Sequence, residues 1–169
     1  MTPLAWLIAG MVVALAARAL LVQLLVLKFR SDIRRLNKGD YRPLLAIYAE
    51  DAVLRFNEGA HRWSGAHRGK AAIERFLRDF TGAGLQGEIK ALWIAGPLWA
   101  LSFVARFDNR AAGPDGRQIY ANRVAVVVRT RWGRILEHED FYEDTARIEA
   151  LDRTLRANGI LPVVEAVAR

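Results

Sequence analysis

The spacing of apolar and polar positions divides this chain into two parts. From Leu4 to Leu27 nearly every residue is apolar, with Arg18 the only charge. A helix over this run spans about 36 Å, more than the roughly 30 Å hydrocarbon core of a bilayer. The nearby positive charge begins at Lys28, which by the positive-inside rule places the following residues in the cytoplasm. The pattern predicts a single-pass cell-membrane anchor over residues 1–29, in contact with the lipid bilayer through residues 4–27.

Other interpretations of this run are weaker or remain open. A signal peptide is disfavoured because no positive residue precedes the run and no small-x-small site follows it. A buried core helix stays an alternative. Arg18 lies about 15 Å from the interface expected at Lys28, where an unpaired charge is costly. It either contacts a membrane-protein partner or a lipid phosphate, or the bilayer thins locally, or the span begins at Met1 and ends near Arg18.

After the apolar run, helical and strand-like spacings alternate. Residues 30–39 continue the first helix as a charged stalk, residues 40–159 form the main domain, and residues 160–169 are a tail. Three helices are predicted in the domain: Tyr41–Glu50, Lys70–Phe80 and Thr145–Ala157.

A short strand is predicted at Ala52–Asn57, followed by a loop at Gly59–Gly69. Four longer strands, separated by Gly, Pro and Asp turn residues, follow at Gln86–Ala95, Leu98–Asn109, Arg117–Arg131 and Ile135–Tyr142. Helices followed by an antiparallel meander define an α+β fold.

Composition removes several functional classes. The 169 residues have room for one domain and an appendage, and the absence of cysteine excludes disulfides, thiol catalysis and Cys-based metal sites. The net charge of +7 comes mainly from scattered Arg, without a nucleic-acid-binding motif, so no nucleic-acid partner is expected. The three histidines are too far apart in the sequence to indicate a metal site, and no cofactor is expected.

Three segments in this order carry a family resemblance: AxYAEDAVLRF, HRWSGAHRGKAAIERFL and WGRIxxxxDFYED. Over roughly Arg35–Leu155 the chain resembles the SnoaL-like branch of the NTF2-like superfamily. The resemblance implies a cone in which a curled antiparallel sheet wraps around helices, with a small apolar molecule or a substrate at its mouth. The family includes ketosteroid isomerases, scytalone dehydratase, limonene-epoxide hydrolases and polyketide cyclases, as well as many non-catalytic members, so the fold leaves function open.

The last strand carries the candidate chemistry. Side chains alternate along a strand, so His138, Asp140 and Tyr142 share one face and Glu137 and Glu139 the other. The resemblance places Asp140 inside the cone, because epoxide hydrolases of this fold carry a pocket aspartate there. The same register and the neighbouring helices give the remaining expected pocket residues: Tyr48, Phe56, Trp63, Phe76, Phe103, Tyr120, Asn122 and Val124.

A carboxylate beside an imidazole in an apolar pocket suits general-base catalysis, so Asp140 and His138 are the candidate catalytic residues. With Asn122 or Tyr120 as hydrogen-bond donor, the reaction would be proton abstraction next to a carbonyl. The alternative is a structural network that fixes the strand end. Departures from the family favour it: Phe56 stands where the isomerases carry their catalytic aspartate, and the Arg-x-Asp set of the epoxide hydrolases is missing near Val104 and Arg106.

Three functions remain open. The first is non-enzymatic: an accessory or docking subunit of a membrane protein complex, or a binder of a small apolar molecule. The second is a SnoaL-like lyase, isomerase, dehydratase or cyclase that uses Asp140 as general base on an apolar carbonyl substrate. The third is a homodimer paired through the outer sheet face.

Overall fold

The computed structural model describes residues 2–160, so all of the predicted tail except Ile160 lies outside the described residues. Four helices are α1 (Pro3–Leu36), α2 (Arg42–Ala46), α3 (Lys70–Gly82) and α4 (Thr145–Ala157). Six strands are β1 (Tyr48–Phe56), β2 (Gly65–Arg68), β3 (Gln86–Ala95), β4 (Ser102–Ala112), β5 (Gln118–Arg131) and β6 (Arg134–Tyr142).

The strands form one sheet in the order β2-β1-β6-β5-β4-β3, which confirms the predicted α+β class. The sheet is mixed, because β1 pairs in parallel with β6 while the other neighbours are antiparallel. Two local predictions were wrong. The helix expected over Tyr41–Glu50 ends at Ala46, and the expected loop at Gly59–Gly69 contains the edge strand β2. Tyr48 therefore belongs to a strand rather than to a helix.

The core lies between the helices and one face of the sheet, called here the inner face. Alternation along β5 buries Tyr120, Asn122, Val124 and Val126, as the register predicts. Helix α3 covers this face with its own apolar stripe. That stripe comprises Ile73, Phe76, Leu77 and Phe80. Burying side chains of this size contributes about 1.5–3 kcal/mol each, so the two layers hold each other in place.

Helix α1 differs between its two halves. In the C-terminal half, a stripe spaced four and three residues apart turns towards the domain: Val22, Val26, Phe29, Ile33 and Leu36. The Phe29 ring stacks on Phe103, with centroids 6.5 Å apart. The segment predicted as a charged stalk thus contributes core residues as well as exposed charges.

Two polar contacts fix this half of α1 along the edge strand β3. The Asn37 side chain exchanges two hydrogen bonds of 2.9 Å with the backbone of Gly87, and Arg18 Nη2 donates to the Gly96 carbonyl at 3.1 Å. The rise of α1 from Arg18 to Asn37 is about 28 Å, and an extended strand from Gly96 to Gly87 covers about 30 Å. The helix and the edge strand therefore run side by side in opposite directions.

The N-terminal half of α1 is exposed on every side except at Ala5, which is half-buried. The helix is long and apolar enough to cross a membrane, with a mean hydropathy of 2.2 in its most apolar stretch.

Candidate functional site: an apolar cavity with a polar strip

A cavity lies between α1, α3 and the inner face of the sheet. Most of its wall is apolar and comes from both layers, including Phe29, Ile33, Leu36, Leu44, Phe76, Leu77, Phe80, Phe107, Val124, Val126, Val128 and Ile135. The cavity volume is about 80 Å³. One water needs roughly 10–15 Å³ on the same measure, so the cavity has room for a small ring or a short chain.

The polar groups of the cavity wall concentrate on β1 and β6. The Tyr48 hydroxyl lies 2.5 Å from His138 Nδ1, and His138 Nε2 lies 2.8 Å from Asp140 Oδ1. Burial raises the pKa of the Tyr48 hydroxyl well above its ordinary value, and the nearby charge of Asp140 raises it further. Tyr48 therefore keeps its proton and can donate a hydrogen bond to His138 Nδ1. The ring proton is then on Nε2, which donates a hydrogen bond to Asp140.

A second polar pair lies beside this relay. Asn109 Nδ2 donates to the Tyr142 hydroxyl at 2.9 Å, and both residues line the cavity. Burial is the main cause that raises the pKa of Tyr142, and electrostatic repulsion from Asp140 and Tyr120 raises it further. Tyr142 therefore also stays protonated. Its hydroxyl accepts from Asn109 and retains its own proton for another acceptor.

The parity argument for β6 is confirmed at its centre. Asp140 is buried with only 9% of its surface exposed and lines the cavity together with His138 and Tyr142. Glu137 points away and pairs with Arg129 on the outer face, at 3.1 Å. Parity fails at Ile135: strict alternation would place it on the outer face with Glu137 and Glu139, but it is buried in the cavity wall. The register shifts between Arg129 and Thr130, so one extra residue of β6 reverses the alternation there.

The other expected pocket residues divide into two groups. Phe76 and Val124 line the cavity, as do Tyr48 and Tyr142. Phe56, Trp63, Phe103, Tyr120 and Asn122 lie on the correct side of the sheet but outside the cavity wall.

Asn122 is occupied elsewhere, because its amide donates to the Asp144 carbonyl at 2.6 Å at the start of α4. Neither Asn122 nor Tyr120 lines the cavity as the donor expected for a catalytic site.

Sequence reasoning missed the contribution of α1 and the second amide. Phe29, Ile33 and Leu36 were assigned to the anchor or the stalk, although their spacing with Val22 and Val26 marks one helix face. Asn109 was read as the last residue of its strand, whereas β4 continues to Ala112 and turns Asn109 inward.

A buried ion-pair cluster lies apart from the cavity. Asp152 on α4 accepts from Arg62 Nε at 2.6 Å and from Arg156 Nη2 at 2.5 Å. Burial opposes ionisation of Asp152, but the hydrogen bonds from the two arginines hold its pKa below the ordinary value. The side chains of Arg62 and Asp152 are both about 1% exposed. This cluster therefore joins the β1–β2 connection to α4 inside the protein.

A family model described as a SnoaL-like domain matches residues 30–138. The chain therefore belongs to the SnoaL-like family, with the NTF2-like fold that the sheet order and the cavity show. Among curated proteins no match is found.

Solved structures share this fold at low sequence identity. Bal32a, from a soil-derived mobile gene cassette, is 19% identical with a TM-score of 0.59, covering 76% of this chain and 95% of its own. TerC co-crystallised with polyporic acid is 15% identical with a TM-score of 0.59, covering 75% and 96%. A candidate polyketide cyclase from Xanthomonas campestris pv. campestris is 17% identical with a TM-score of 0.53, covering 73% and 93%.

Proposed function

We propose that this protein is a membrane-anchored binding protein whose cavity holds a small apolar molecule with one polar group. The observation that carries the proposal is a polar strip along β6, formed by His138, Asp140 and Tyr142, in a cavity whose wall is otherwise mostly apolar. A ligand hydroxyl directed at Asp140 or Tyr142 would find an acceptor and a donor, while its apolar body would contact Phe76, Val124 and Val126. Apolar walls with a few placed polar groups are typical of small-molecule sites.

The anchor supplies the second part of the proposal. Helix α1 continues without interruption from the exposed apolar half into the cavity wall at Phe29. With α1 in a membrane and its basic C-terminal end in the cytoplasm, the cavity would lie close to the bilayer, where apolar molecules concentrate. Such a protein could also serve as an accessory subunit whose anchor joins a membrane complex, through Arg18 or the outer sheet face.

An enzymatic function is the second candidate, and the hydrogen-bonded series of Tyr48, His138 and Asp140 favours it. Asp140 would remove a proton next to a carbonyl group, with His138 orienting the carboxyl and Tyr142 donating to the developing oxyanion. The structural neighbour described as a candidate polyketide cyclase is consistent with this chemistry. The amide donor once expected at Asn122 is replaced in this scheme by Tyr142.

Phenol and toluene test the polar strip, because they match in shape and phenol carries a hydroxyl where toluene carries a methyl group. The full chain in mild detergent should bind phenol about tenfold more tightly, since a hydrogen bond to a charged group contributes about 1.5–3 kcal/mol. Calorimetry measures both affinities. Val126→Phe should abolish binding by filling the cavity, while Val127→Phe, its neighbour on the outer face, should leave it intact. Equal affinities, or no binding by a folded protein, would contradict the proposal.

Native mass spectrometry of gently extracted protein tests the same site with its natural occupant. We expect a small molecule to be retained by the unmodified protein and by the Val127→Phe variant, and to be lost from Val126→Phe.

The anchor is tested separately by deleting residues 2–17, which keeps the docked half of α1. This shortened protein should fold and leave the membrane fraction. Its retention in membranes after a high-salt wash, which weakens contacts between surface charges and headgroups, would contradict anchoring by this helix.

A further inference from the structure

Tryptophan is concentrated at one end of the sheet. Of the five tryptophans in the chain, Trp6 lies in the apolar helix and Trp63 is buried in the core. The other three are Trp93, Trp99 and Trp132, which are 59%, 56% and 76% exposed. Trp93 lies on the outer face of β3 near its C-terminal end. Trp99 lies in the β3–β4 turn, and Trp132 lies in the β5–β6 turn. The two turns are joined by a 2.8 Å hydrogen bond from Trp132 N to Trp99 O.

Trp132 is held in an unfavourable backbone conformation. Its φ is +49°, the one positive value outside glycine among residues 2–160, and Gly133 follows at +74°. Two-residue hairpin turns with this geometry favour Asn-Gly or Asp-Gly, because bulky side chains clash in the left-handed region. A large apolar side chain at the most exposed point of such a turn adds nothing to the core. Strain and exposure together point to a function outside the fold.

The two hairpins that carry these tryptophans have only positive charges near their turns. No Asp or Glu occurs between Glu88 and Asp108, or between Arg123 and Glu137. Arg131 and Arg134 flank the Trp132 turn and are exposed. Arg18, which donates to the Gly96 carbonyl in the β3–β4 turn, adds a third arginine at these turns. These six residues are called here the tryptophan rim.

The contact between Arg18 and Gly96 fixes the position of the rim along the axis of α1. Gly96 has φ of +94°, and a Cβ there would lie 2.5 Å from the Ala100 carbonyl oxygen, so the turn that presents this acceptor is tight. Arg18 lies within the apolar run, about 15 Å before Lys28. Residues 2–17 carry no charged side chain, so Arg18 is the first charge along α1, and its contact with Gly96 puts the rim at the same level.

We propose that the tryptophan rim is a second membrane contact, seated among the headgroups of an anionic bilayer beside the point where α1 enters it. Insertion of α1 up to Arg18 brings the rim to the headgroups, because Arg18 and Gly96 are in contact. Indole rings favour the membrane–water interface, and arginines there pair with lipid phosphates. The rim would orient the domain and hold its edge strand β3 against the surface. This inference rests on the proposed anchor.

Brominated lipids, which quench tryptophan fluorescence on contact, test the rim in the full chain. The protein is reconstituted in vesicles of brominated phosphatidylcholine and phosphatidylglycerol. Trp63 stays in every variant, because it fills the core and serves as the protected reference. Each variant keeps one further tryptophan, Trp6, Trp99 or Trp132, and the others are changed to Phe; a variant with Trp63 alone gives the baseline.

We expect the emission of Trp99 and of Trp132 to shift to the blue and to be mostly lost in brominated vesicles, as for Trp6. Quenching of Trp6 without Trp99 and Trp132 would overturn the rim proposal while leaving the anchor intact, and would assign the rim to a protein surface such as a second copy. Absence of quenching at all three positions would overturn the anchor and the rim together. Unchanged emission of the Trp63 variant confirms that the domain remains folded.

Discussion

Asp140 and Asp152 are both buried acids in one domain, yet their surroundings differ in charge and in access. Asp152 lies between two arginine side chains that donate to both of its oxygens. Asp140 accepts from the ring of His138 and borders the cavity, with the hydroxyls of Tyr48 and Tyr142 nearby. The first carboxyl is saturated by cations and closed off, whereas the second faces space that a ligand can enter. Burial alone therefore does not distinguish a structural acid from a functional one; the partners do.

The largest effect is expected at the saturated site. Asp152→Asn removes the charge that compensates Arg62, whose side chain is about 1% exposed, and breaking such a buried pair costs about 3–5 kcal/mol. Chemical denaturation followed by circular dichroism should show this loss, while phenol binding by the folded fraction stays unchanged. Asp51→Asn, on an exposed part of β1, is the matched control and should be close to neutral. A small loss at Asp152 would contradict the assignment of Asp152 and Arg62 as a stabilising buried ion pair.

The same variant gives a pH dependence whose sign follows from Asp152. Its pKa is depressed in the folded state, so the stabilisation is complete above the unfolded-state value of about 3.9 and is lost as the pH falls through the lower folded-state value. The difference in unfolding free energy between the unmodified protein and Asp152→Asn should therefore be constant from about pH 7 to 5. It should narrow only below about pH 4. A difference that shrinks near neutral pH would require another titrating group.

Asp140→Asn separates binding from stability at the open site. The amide keeps the shape of the carboxyl but changes the acceptor for His138, with an expected cost of about 1–3 kcal/mol if hydrogen bonding in this buried site is disturbed. The preference for phenol over toluene should disappear. If the site is catalytic, turnover should be abolished while most of the stability remains. A variant that loses stability and keeps its phenol preference would identify Asp140 as a structural residue.

Tyr48→Phe is expected to cost less, about 0.5–1.5 kcal/mol for one neutral hydrogen bond. Its more specific consequence concerns His138. Without the Tyr48 hydroxyl, Nδ1 loses its donor, while the Asp140 carboxylate continues to accept from Nε2–H and holds the same tautomer. Nitrogen NMR of His138 should show a shifted Nδ1 signal and an unchanged protonated Nε2. Tyr41→Phe, whose hydroxyl contacts Glu74 at 3.3 Å, should leave the His138 signals unchanged.

Sequence periodicity predicted the strands well because alternation is a local property. The predicted strand at Gln86–Ala95 and the predicted helix at Thr145–Ala157 have the observed bounds. The interior position of Asp140 followed from parity and from the family resemblance. Ile135 was misplaced because a bulge depends on pairing with a second strand, which a single strand's pattern does not contain.

Long-range contacts escaped the sequence for a similar reason. Tyr48 reaches His138 across ninety positions, and Arg62 reaches Asp152 across the same separation. Neither pairing leaves a periodic signal. The docking of α1 was obscured differently: its buried stripe begins at Val22 and Val26 in a run that is apolar on all faces, so only the spacing of the stripe distinguishes it there.

Glu137→Gln provides the smallest expected effect and the strictest check on the register of β6. Glu137 is three residues from Asp140 but lies on the outer face, where its pair with Arg129 is largely exposed, with side-chain exposures of 45% and 67%. Exposed pairs contribute roughly 0.2–1 kcal/mol, and salt reduces this further. Denaturation at low and high salt should show a loss within that range that vanishes at high salt, with phenol affinity unchanged. Any change in phenol affinity would place Glu137 at the cavity and contradict the separation of the two faces on which the assignment of Asp140 depends.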